Sequence, residues 1–268
     1  MSNIKQKPKL SIITVCFNAP NLRQTCDSII QQTFQDFEWL VIDGGSNKKT
    51  LDIFENYRDR IDYFVSEKDN GIYNAMNKGI AKATGEYLLF LNAGDSFYSK
   101  YALERFMDEG LDADIIYANI QSYSCGVAII QPDVLDTEFW LKSTLPHQAT
   151  LIKADLFKLC GPYNETYKVI SDYEKWLQCI YVNNCTYKHI NFMSSVFDCT
   201  GTSCRTNYDD ERMEIIIKYI GKNKIDAIAN SKMSLLQKIF SVTSWSINRA
   251  YLDITIFGKH ILIKKKRH

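Results

Sequence analysis

The chain contains the segment Gly85-Glu-Tyr-Leu-Leu-Phe-Leu-Asn-Ala-Gly-Asp95, in which residues 87–91 are all apolar or aromatic. A continuous run that ends at a turn is typical of a strand buried on both faces, as in a parallel sheet. Asn92 and Asp95 then lie just past the carboxyl end of that strand, where open α/β sheets bind ligands. A carboxylate there can hold a divalent metal, which in turn holds a diphosphate. The alternative is an ordinary polar turn.

Similar apolar runs surround this segment. Strands are predicted at 10–17, 37–42 and 61–66, and helices at 21–32, 48–57 and 72–84. Strands that alternate with helices indicate βαβ units and an α/β fold with a Rossmann-like, mainly parallel sheet flanked by helices. No Gly-x-Gly-x-x-Gly or phosphate-loop motif follows the first strand, which argues against a dinucleotide-dependent dehydrogenase and a P-loop NTPase.

The second half is predicted to be more mixed. Strands are expected at 113–120 and 149–152, with a hairpin arm at 123–131, two short strands within 186–198, and helices from 207 onward. We therefore expect three parts: a nucleotide-binding half at about 1–120, an acceptor-binding half at 121–205, and a helical, basic C-terminal segment at 206–268. The first two parts together form one catalytic domain, 1–205.

Composition limits the class of protein. The 268 residues are 46% apolar, enough for a sizeable core, and the eight cysteines form no Cys-x-x-Cys pair. With no apolar run at the N-terminus, this predicts buried free thiols in a reducing cytoplasm. Residues 218–268 carry eleven basic against two acidic side chains, whereas the rest is net acidic. The acidic body argues against nucleic-acid binding, and the basic tail could meet an anionic membrane surface.

Acidic turns follow three successive predicted strands. Asp43 follows the second strand, Glu67 and Asp69 the third, and Asn92 and Asp95 the fourth. Because the carboxyl ends of parallel strands share one edge, we expect these side chains to converge. Asp43 could accept from a nucleobase imide, Asp69 from a base or ribose hydroxyl, and Asp95 could ligate Mg²⁺ or Mn²⁺. The competing interpretation is that all of them are turn formers.

Two residues of the second half are candidates for the chemistry. Asp172 could act as general base for a hydroxyl acceptor. The alternative is that Ser171-Asp-Tyr-Glu174 is a helix capping box, with Asp172 complementing the helix dipole. His147 could donate to a sugar hydroxyl or a phosphate, or it could be a packed polar residue.

The chain also resembles a known family, the bacterial family 2 glycosyltransferases. Within it, the chain is most similar to the subgroup that builds O-antigen, capsule and colanic-acid repeat units. The match covers about residues 9–205 and involves several motifs in the same order. These motifs are the segments 10–18, 41–46, 66–79 and 85–95, and the later Pro146-His-Gln148, Ser171-Asp-Tyr-Glu174 and Gly201-Thr-Ser203.

The resemblance implies a GT-A fold and an inverting transfer of a hexose or N-acetylhexosamine from a UDP-sugar. It implies a Mn²⁺ or Mg²⁺ cofactor held by Asp95, Asp172 as the base, and contacts from His147 and Gln148 to donor or acceptor sugar. Asn92 and Gly94 occupy positions where the family's Asp-x-Asp metal motif carries acids, so the metal loses a negative neighbour. The implied nucleotide-binding residues are Thr14, Phe17, Asn18, Asp43, Glu67, Asp69, Asn77 and Asn92.

The basic tail motivates a further expectation, that the acceptor is a saccharide linked to polyprenyl diphosphate at the inner face of the plasma membrane. The enzyme would then be cytoplasmic and peripheral, with the basic tail at the membrane surface. Two alternatives stay open: an inactive sugar-nucleotide-binding module, which Asn92 leaves possible, and a nucleotidyltransferase on a related fold. The segment 16–20 does not look like the phosphate loop that a nucleotidyltransferase would carry.

Overall fold

The structure is a computed structural model that describes residues 7–123, 126–198 and 209–228, together with the backbone of two strands at 252–256 and 259–263. Four strands of the first half run parallel: β1 (Leu10–Cys16), β2 (Phe37–Asp43), β3 (Tyr63–Ser66) and β4 (Tyr87–Phe90). They are connected by α1 (Leu22–Ile30), α2 (Lys48–Glu55) and α3 (Ile72–Lys82). Every residue of β1 and β4 is buried, as their continuous apolar sequences predict.

The second half adds shorter elements. The strands are β5 (Ser96–Phe97), β6 (Ile115–Ser122), β7 (Ala128–Ile129), β8 (Thr150–Lys153) and β9 (Tyr187–Phe197). The helices are α4 (Ala102–Asp108), α5 (Thr137–Lys142), α6 (Asp155–Leu159) and α7 (Ser171–Leu177), with a 3₁₀ turn at His147–Ala149 and a π-helical turn at Gln178–Val182. Further along the chain lie α8 (Asp209–Tyr219), β10 (Leu252–Ile256) and β11 (Lys259–Ile263).

One mixed, mainly parallel sheet holds the first nine strands, which confirms the predicted fold class. Its order is β3-β2-β1-β4-β8-β6-β9-β5, with β7 paired to β6. β8 runs antiparallel to both β4 and β6, and β9 runs parallel to β6. β6 and β9 therefore point the same way as β4, so the carboxyl ends of β1 to β4 and of β9 lie at one edge.

Several local predictions differ from the structure. The segment 186–198 contains one strand rather than two. Bulges in β9 opposite Ala118–Ile120 take up the extra residues, so that β9 stays paired with β6 along its whole length. Asn21 makes no side-chain cap to α1 and donates instead to Asp198. The capping box at α7 is absent: Ile170 is the N-cap residue, and Ser171 Oγ is buried without a partner among the described residues.

The C-terminal segment is only partly helical. α8 is a helix as predicted, but β10 and β11 pair antiparallel where helices were expected. The basic run at 264–267 lies outside the described residues. In the described part of the chain, no helix combines the length and the apolarity that a membrane span requires.

The chain divides into two compact units. The larger comprises 1–133 and 145–207, and the smaller comprises 134–144 and 208–268. In the smaller unit, the buried Arg212 donates to the carbonyl oxygens of Trp140 (3.2 Å) and Ser143 (2.6 Å). The domain boundary at 205 stays a prediction.

The described cysteines are free thiols within the larger unit. Burial raises the pKa of Cys16 to about 11 and that of Cys26 to about 12, so both stay protonated at neutral pH. Cys160 is half-buried, and the cysteines at 125, 199 and 204 lie outside the described residues. The described thiols are packing residues, in line with the sequence-based expectation.

Candidate active site

A cavity of about 470 Å³ opens at the carboxyl edge of the sheet, entirely within the larger unit. Turns that follow three parallel strands contribute to its lining. They supply Phe17 and Asn18 after β1, Asp69 after β3, and Asn92 and Asp95 after β4. The edge at which parallel strands end thus brings together polar residues that lie far apart in the sequence.

Two further predicted residues reach the cavity from the second half of the chain. His147 and Gln148 lie in the 3₁₀ turn before β8, and both line the cavity. Gln148 is buried, and its carbonyl oxygen accepts from Ser195 Oγ at 2.6 Å, which ties the turn to β9. The Pro-His-Gln motif is therefore part of the cavity wall.

The turn after β2 holds the Asp43 carboxylate in a fixed position. Asp43 is fully buried, and its Oδ2 accepts from Gly45 N (3.1 Å), Ser46 N (2.8 Å) and Ser66 Oγ (2.6 Å). Its Oδ1 is buried with no hydrogen-bond partner among the residues that the structure describes. Asp43 does not itself line the cavity. One of its oxygens holds the turn, and the other remains free to accept a hydrogen bond.

Gly44 allows that turn to approach Asp69. A Cβ atom at Gly44 would lie 2.4 Å from Asp69 Oδ2, far inside van der Waals contact. Asp69 Oδ1 accepts from Gly71 N at 2.9 Å, which fixes the carboxylate at the start of α3. The position needs glycine because any side chain would push the Asp69 carboxylate aside.

Besides Asp43, three predicted nucleotide-binding residues do not line the cavity. Thr14 lies in the core, where its Oγ1 accepts from the Trp39 indole at 3.0 Å. Glu67 forms an ion pair with Lys78 at 2.7 Å. These two side chains are used within the protein, so the structure does not bring them to a ligand.

The third is Asn77, which fastens a loop to α3. Its Nδ2 donates to Tyr163 O (2.9 Å) and Glu165 Oε1 (2.8 Å), and its Oδ1 accepts from Tyr163 N (2.9 Å). Asn74 Nδ2 also donates to Glu165, at 2.9 Å. The Asn-x-x-Asn spacing of the α3 motif thus serves to hold the segment that precedes α7.

That loop presents Lys168 to the cavity. Lys168 is exposed, and it is the one Lys or Arg among the cavity-lining residues, all of which are described. The next residue, Val169, accepts a short hydrogen bond from Tyr73 Oη on its carbonyl oxygen. The sequence analysis overlooked Lys168 because nothing in its immediate sequence distinguishes it from a solvated surface lysine.

A second carboxylate accompanies Asp95. Asp198, directly after β9, also lines the cavity, and its main-chain N–H donates to Asp95 Oδ1 at 3.0 Å. Asp198 Oδ2 accepts from Asn21 Nδ2 at 3.0 Å. The sequence analysis missed Asp198, although an Asp at the end of a strand is the same signal that singled out Asp43 and Asp95. Because two short strands were expected within 186–198, the direction of the single strand that ends just before Asp198 was not predicted.

The protonation of Asp95 reflects its surroundings. Burial raises the pKa of Asp95 to about 6; the positive charge of His147 opposes this rise, and the negative charge of Asp198 adds to it. The residues that the structure describes contain no group of three acidic, His or Cys side chains arranged to hold a metal. Two carboxylates nevertheless fit a Mg²⁺ or Mn²⁺ ion that takes its other ligands from water and a substrate diphosphate. Their oxygens are hard donors, and such an ion would offset the repulsion between the two negative charges.

A hydrogen-bonded chain of side chains leads from the cavity to Asp172. Asn92 Nδ2 lies 2.9 Å from His147 Nε2, and His147 Nδ1 lies 3.0 Å from Asp172 Oδ2. Tyr73 Oη donates to the other oxygen, Asp172 Oδ1, at 3.0 Å. Burial and the charge of Asp172 raise the pKa of Tyr73 well above its ordinary value, so the phenol stays protonated.

Asp172 itself lies behind the wall of the cavity. Asn92, His147 and Tyr73 line the cavity, whereas Asp172 does not. Burial alone would lower the pKa of His147, but the hydrogen bond and charge of Asp172, together with the charge of Asp95, raise it above its ordinary value. The arrangement is an imidazole held between a carboxylate on one side and an amide at the cavity wall.

Comparison with known proteins identifies related chains. A family model described as glycosyl transferase family 2 matches residues 11–159. A PGL/p-HBAD biosynthesis glycosyltransferase of Mycobacterium tuberculosis is 36% identical over 180 residues, which cover 64% of this chain and 70% of the relative. An uncharacterized glycosyltransferase of Rickettsia typhi is 31% identical over 251 residues, which cover 87% of this chain and 79% of the relative.

Solved structures share the fold. The structure of S. aureus TarS 1–349 in complex with UDP-GlcNAc matches with a TM-score of 0.64 and 21% identity, over 78% of this chain and 64% of that one. The mannosyltransferase PcManGT from Pyrobaculum calidifontis, in complex with GDP-Man and Mn²⁺, matches with a TM-score of 0.55 and 15% identity, over 84% and 65%. This chain therefore spans less than two thirds of either structure, and at these identities the likeness concerns the fold.

The family match includes the part of the site that lies before residue 160. It covers the turns after β1 to β4 and the 3₁₀ turn with His147, and it takes in more than half of the chain. Together with the Rickettsia relative, which aligns over most of the chain, it leads to one conclusion. This chain belongs to glycosyl transferase family 2 and has the GT-A fold.

Proposed function

We propose that this protein is an inverting glycosyltransferase that moves a hexose or N-acetylhexosamine from a UDP-sugar to a saccharide hydroxyl during surface-polysaccharide synthesis. One observation carries the proposal: Asp69, Asn92, Asp95 and Asp198 converge on one cavity at the carboxyl edge of the sheet. A fold neighbour solved with UDP and with UDP-GlcNAc supports a uridine nucleotide as donor. The O-antigen, capsule and colanic-acid setting rests on the motif resemblance alone.

The uridine is proposed to bind between β1 and α3. Phe17 is 65% exposed at the cavity wall, so its ring is available to stack on a base. Asp43 lies behind the cavity lining, and its buried Oδ1 has no partner among the described residues, so it is proposed to accept the imide N–H of uracil once the base has entered. Asp69 and Asn18 lie nearby in the lining and can bond to the ribose.

The diphosphate is proposed to bind next to Asp95. A Mn²⁺ or Mg²⁺ ion bound by Asp95 and Asp198 would supply positive charge to the departing diphosphate. Lys168, the cation in the lining, can contribute charge to the same group. Because Asn92 and Gly94 stand where the family motif has acids, we propose that Lys168 and the metal neutralise the diphosphate together.

Proton removal is proposed to depend on Asp172. In a single displacement the acceptor oxygen attacks the anomeric carbon, the bond to the diphosphate breaks, and the hydroxyl proton must go to a base. Asp172 belongs to the hydrogen-bonded chain that ends at the cavity wall with His147 and Asn92. The anomeric configuration inverts because attack and departure occur on opposite faces.

The acceptor is proposed to be a saccharide carried on polyprenyl diphosphate at the inner membrane face. The basic residues of 218–268 support this, because each Lys or Arg near an anionic surface adds about 1 kcal/mol of attraction. Vesicle flotation tests the role of the tail: the full chain should float with anionic but not neutral vesicles. Equal flotation by a chain that ends at residue 217 would contradict it.

Thermal protection by a panel of sugar nucleotides tests the donor. UDP-Glc, UDP-Gal and their N-acetyl forms should raise the melting temperature more than GDP-Man does, because ligands that bind only the native state stabilise it. Absence of protection by any uridine compound would contradict the proposal. Asn92 favours a second candidate, an inactive sugar-nucleotide-binding module. Such a module would be protected in the same way but would release no UDP from the donor.

A further inference from the structure

The loop between Tyr163 and Ile170 brings Lys168 to the cavity without support from the hydrophobic core. Tyr163 and Ile170 are buried, but no residue of the intervening segment 164–169 is, and this segment forms neither helix nor strand. Lys168 lines the cavity and forms no ion pair with any residue that the structure describes. The position of its ammonium group therefore depends on the polar contacts that fix the path of the loop.

One turn of α3 supplies such contacts. The Asn77 amide binds the main chain of Tyr163 twice, with Nδ2 2.9 Å from Tyr163 O and Oδ1 2.9 Å from Tyr163 N. Glu165 accepts from Asn77 Nδ2 at 2.8 Å on one carboxylate oxygen and from Asn74 Nδ2 at 2.9 Å on the other. Both N–H groups of the Asn77 amide and its oxygen are thus used, and an aspartate in its place would lack both donors.

We propose that Asn77 and Glu165 are positioning residues that act on the donor diphosphate through Lys168. The lysine follows Glu165 by three residues and precedes Val169, whose carbonyl oxygen accepts from Tyr73 Oη on the same turn of α3. Lys168 is thus flanked on both sides by points that α3 fixes, and between them the chain places its side chain at the cavity. This inference rests on the proposed binding of a UDP-sugar.

The physical reason for such contacts is the entropy of binding. A lysine on a loop that is itself unordered must order both the loop and its own side chain when it meets a phosphate, and this cost is subtracted from the affinity. A loop that is fixed beforehand leaves only the side chain to be ordered. The same helix begins beside Asp69, whose Oδ1 accepts from Gly71 N at 2.9 Å. α3 therefore holds a proposed ribose contact and the loop with the proposed diphosphate contact on one rigid element.

A double-mutant cycle with UDP and uridine as ligands tests the proposal. Isothermal titration is carried out on wild type, N77A, K168M and N77A/K168M. In N77A we expect UDP affinity to fall by about tenfold, as in K168M, and uridine affinity to change by less than about twofold. N77A/K168M should bind UDP at most about twofold less tightly than K168M alone, because the position of the loop has no effect on the phosphates once the ammonium group is gone.

Further variants test the contact with Glu165. N77D puts a carboxylate where the amide nitrogen now lies 2.8 Å from Glu165 Oε1, so the two side chains should repel and UDP affinity should fall. N77D/E165Q should regain at least about threefold, since the glutamine amide can donate to the new carboxylate. A complete lack of rescue would contradict a role for this contact. If N77A does not fold, E165A, at an exposed side chain, replaces it in the cycle with K168M.

Three results of the cycle would overturn the proposal. Losses that multiply to about hundredfold in N77A/K168M would show that Asn77 acts independently of Lys168. Equal weakening of UDP and uridine in N77A would place the effect at the uridine site. Unchanged UDP affinity in N77A would show that the loop keeps its path without the Asn77 amide.

The matched control is N56A. The Asn56 amide donates to the carbonyl oxygens of Asp52 and Ile53 in its own helix α2 and does not line the cavity, so this variant should bind UDP as wild type does. Wild-type protein that neither binds UDP nor turns over a UDP-sugar would refute the proposed function itself. Wild type that does both, with N77A unaffected, would refute only the role of Asn77.

Discussion

The main-chain N–H of Asp198 donates to the Asp95 carboxylate at 3.0 Å, which joins the ends of two strands that lie 103 residues apart in the chain. β4 and β9 are not neighbours in the sheet, and the hydrogen bond spans the edge between them. It places a second carboxylate beside Asp95, and this compensates in part for the amide at residue 92. The acidic centre of the cavity is therefore formed by Asp95 and Asp198, rather than by a local Asp-x-Asp motif.

The first prediction concerns the pH dependence of metal binding. Because the pKa of Asp95 is about 6, its carboxylate is mostly protonated below that pH. We expect the affinity for Mn²⁺ in the presence of UDP to fall by about tenfold for each pH unit below this value, as for a ligand that must lose one proton. Isothermal titration at several pH values measures the change. D198N should weaken Mn²⁺ binding even at neutral pH; an unchanged affinity would exclude Asp198 as a ligand.

The second prediction concerns stability in the absence of metal. The pKa of Asp95 is raised from 3.8 to about 6 in the folded protein, so ionisation of this carboxyl group destabilises the native state. The destabilisation is absent below pH 3.8, develops between pH 3.8 and about 6, and is complete above that. D95N should therefore melt at a higher temperature than wild type at neutral pH, and the gap should close as the pH falls towards 3.8. D155N, at an exposed carboxylate, is the control and should show no such gain.

The third prediction concerns the contact between Gly44 and Asp69. G44A places a methyl group 2.4 Å from Asp69 Oδ2, so the Asp69 carboxylate must move out of its position at the start of α3. We expect UDP affinity to fall by about tenfold or more, equivalent to at least about 1.4 kcal/mol. G110A is the control, since its φ of 85° strains an added side chain but nothing lies within 4 Å of it. It should lower the melting temperature and leave UDP affinity unchanged.

The fourth prediction concerns Lys168. If it neutralises the diphosphate, K168M should weaken UDP binding by about tenfold and leave uridine binding unchanged, because uridine has no phosphate. K168R should retain most of the affinity, since it keeps the charge. K158M, at an exposed lysine paired with Asp155 away from the cavity, is the matched control. Equal weakening of UDP and uridine would show that Lys168 acts on the shape of the loop rather than on the phosphates.

Much of the sheet was predictable from the sequence because its signals are local. Residues 10–16 and 87–90 are continuous apolar runs, and both are buried along their whole length. Since strands of this kind pair in parallel, the positions of Asn92 and Asp95 at the edge where β1 also ends followed from the ends of those runs. Asn77 shows the limit of such reasoning: its motif marks it as functional, but only the packed loop reveals that it binds Tyr163 and Glu165.

By itself, the sequence determined the α/β class, the ligand-binding edge and the candidate acids that follow its strands. Each of these depends on a pattern within a few consecutive residues. A strand that is buried on both faces requires a continuous run of apolar residues, whatever its place in the sheet. Only the tertiary structure decided the direction of β9, which brings Asp198 to Asp95, and the order in which Asn92, His147 and Asp172 meet. These relationships join residues that are 25 to 103 positions apart in the sequence. They depend on the antiparallel pairing of β8 with β4 and on the contact between the 3₁₀ turn before β8 and α7.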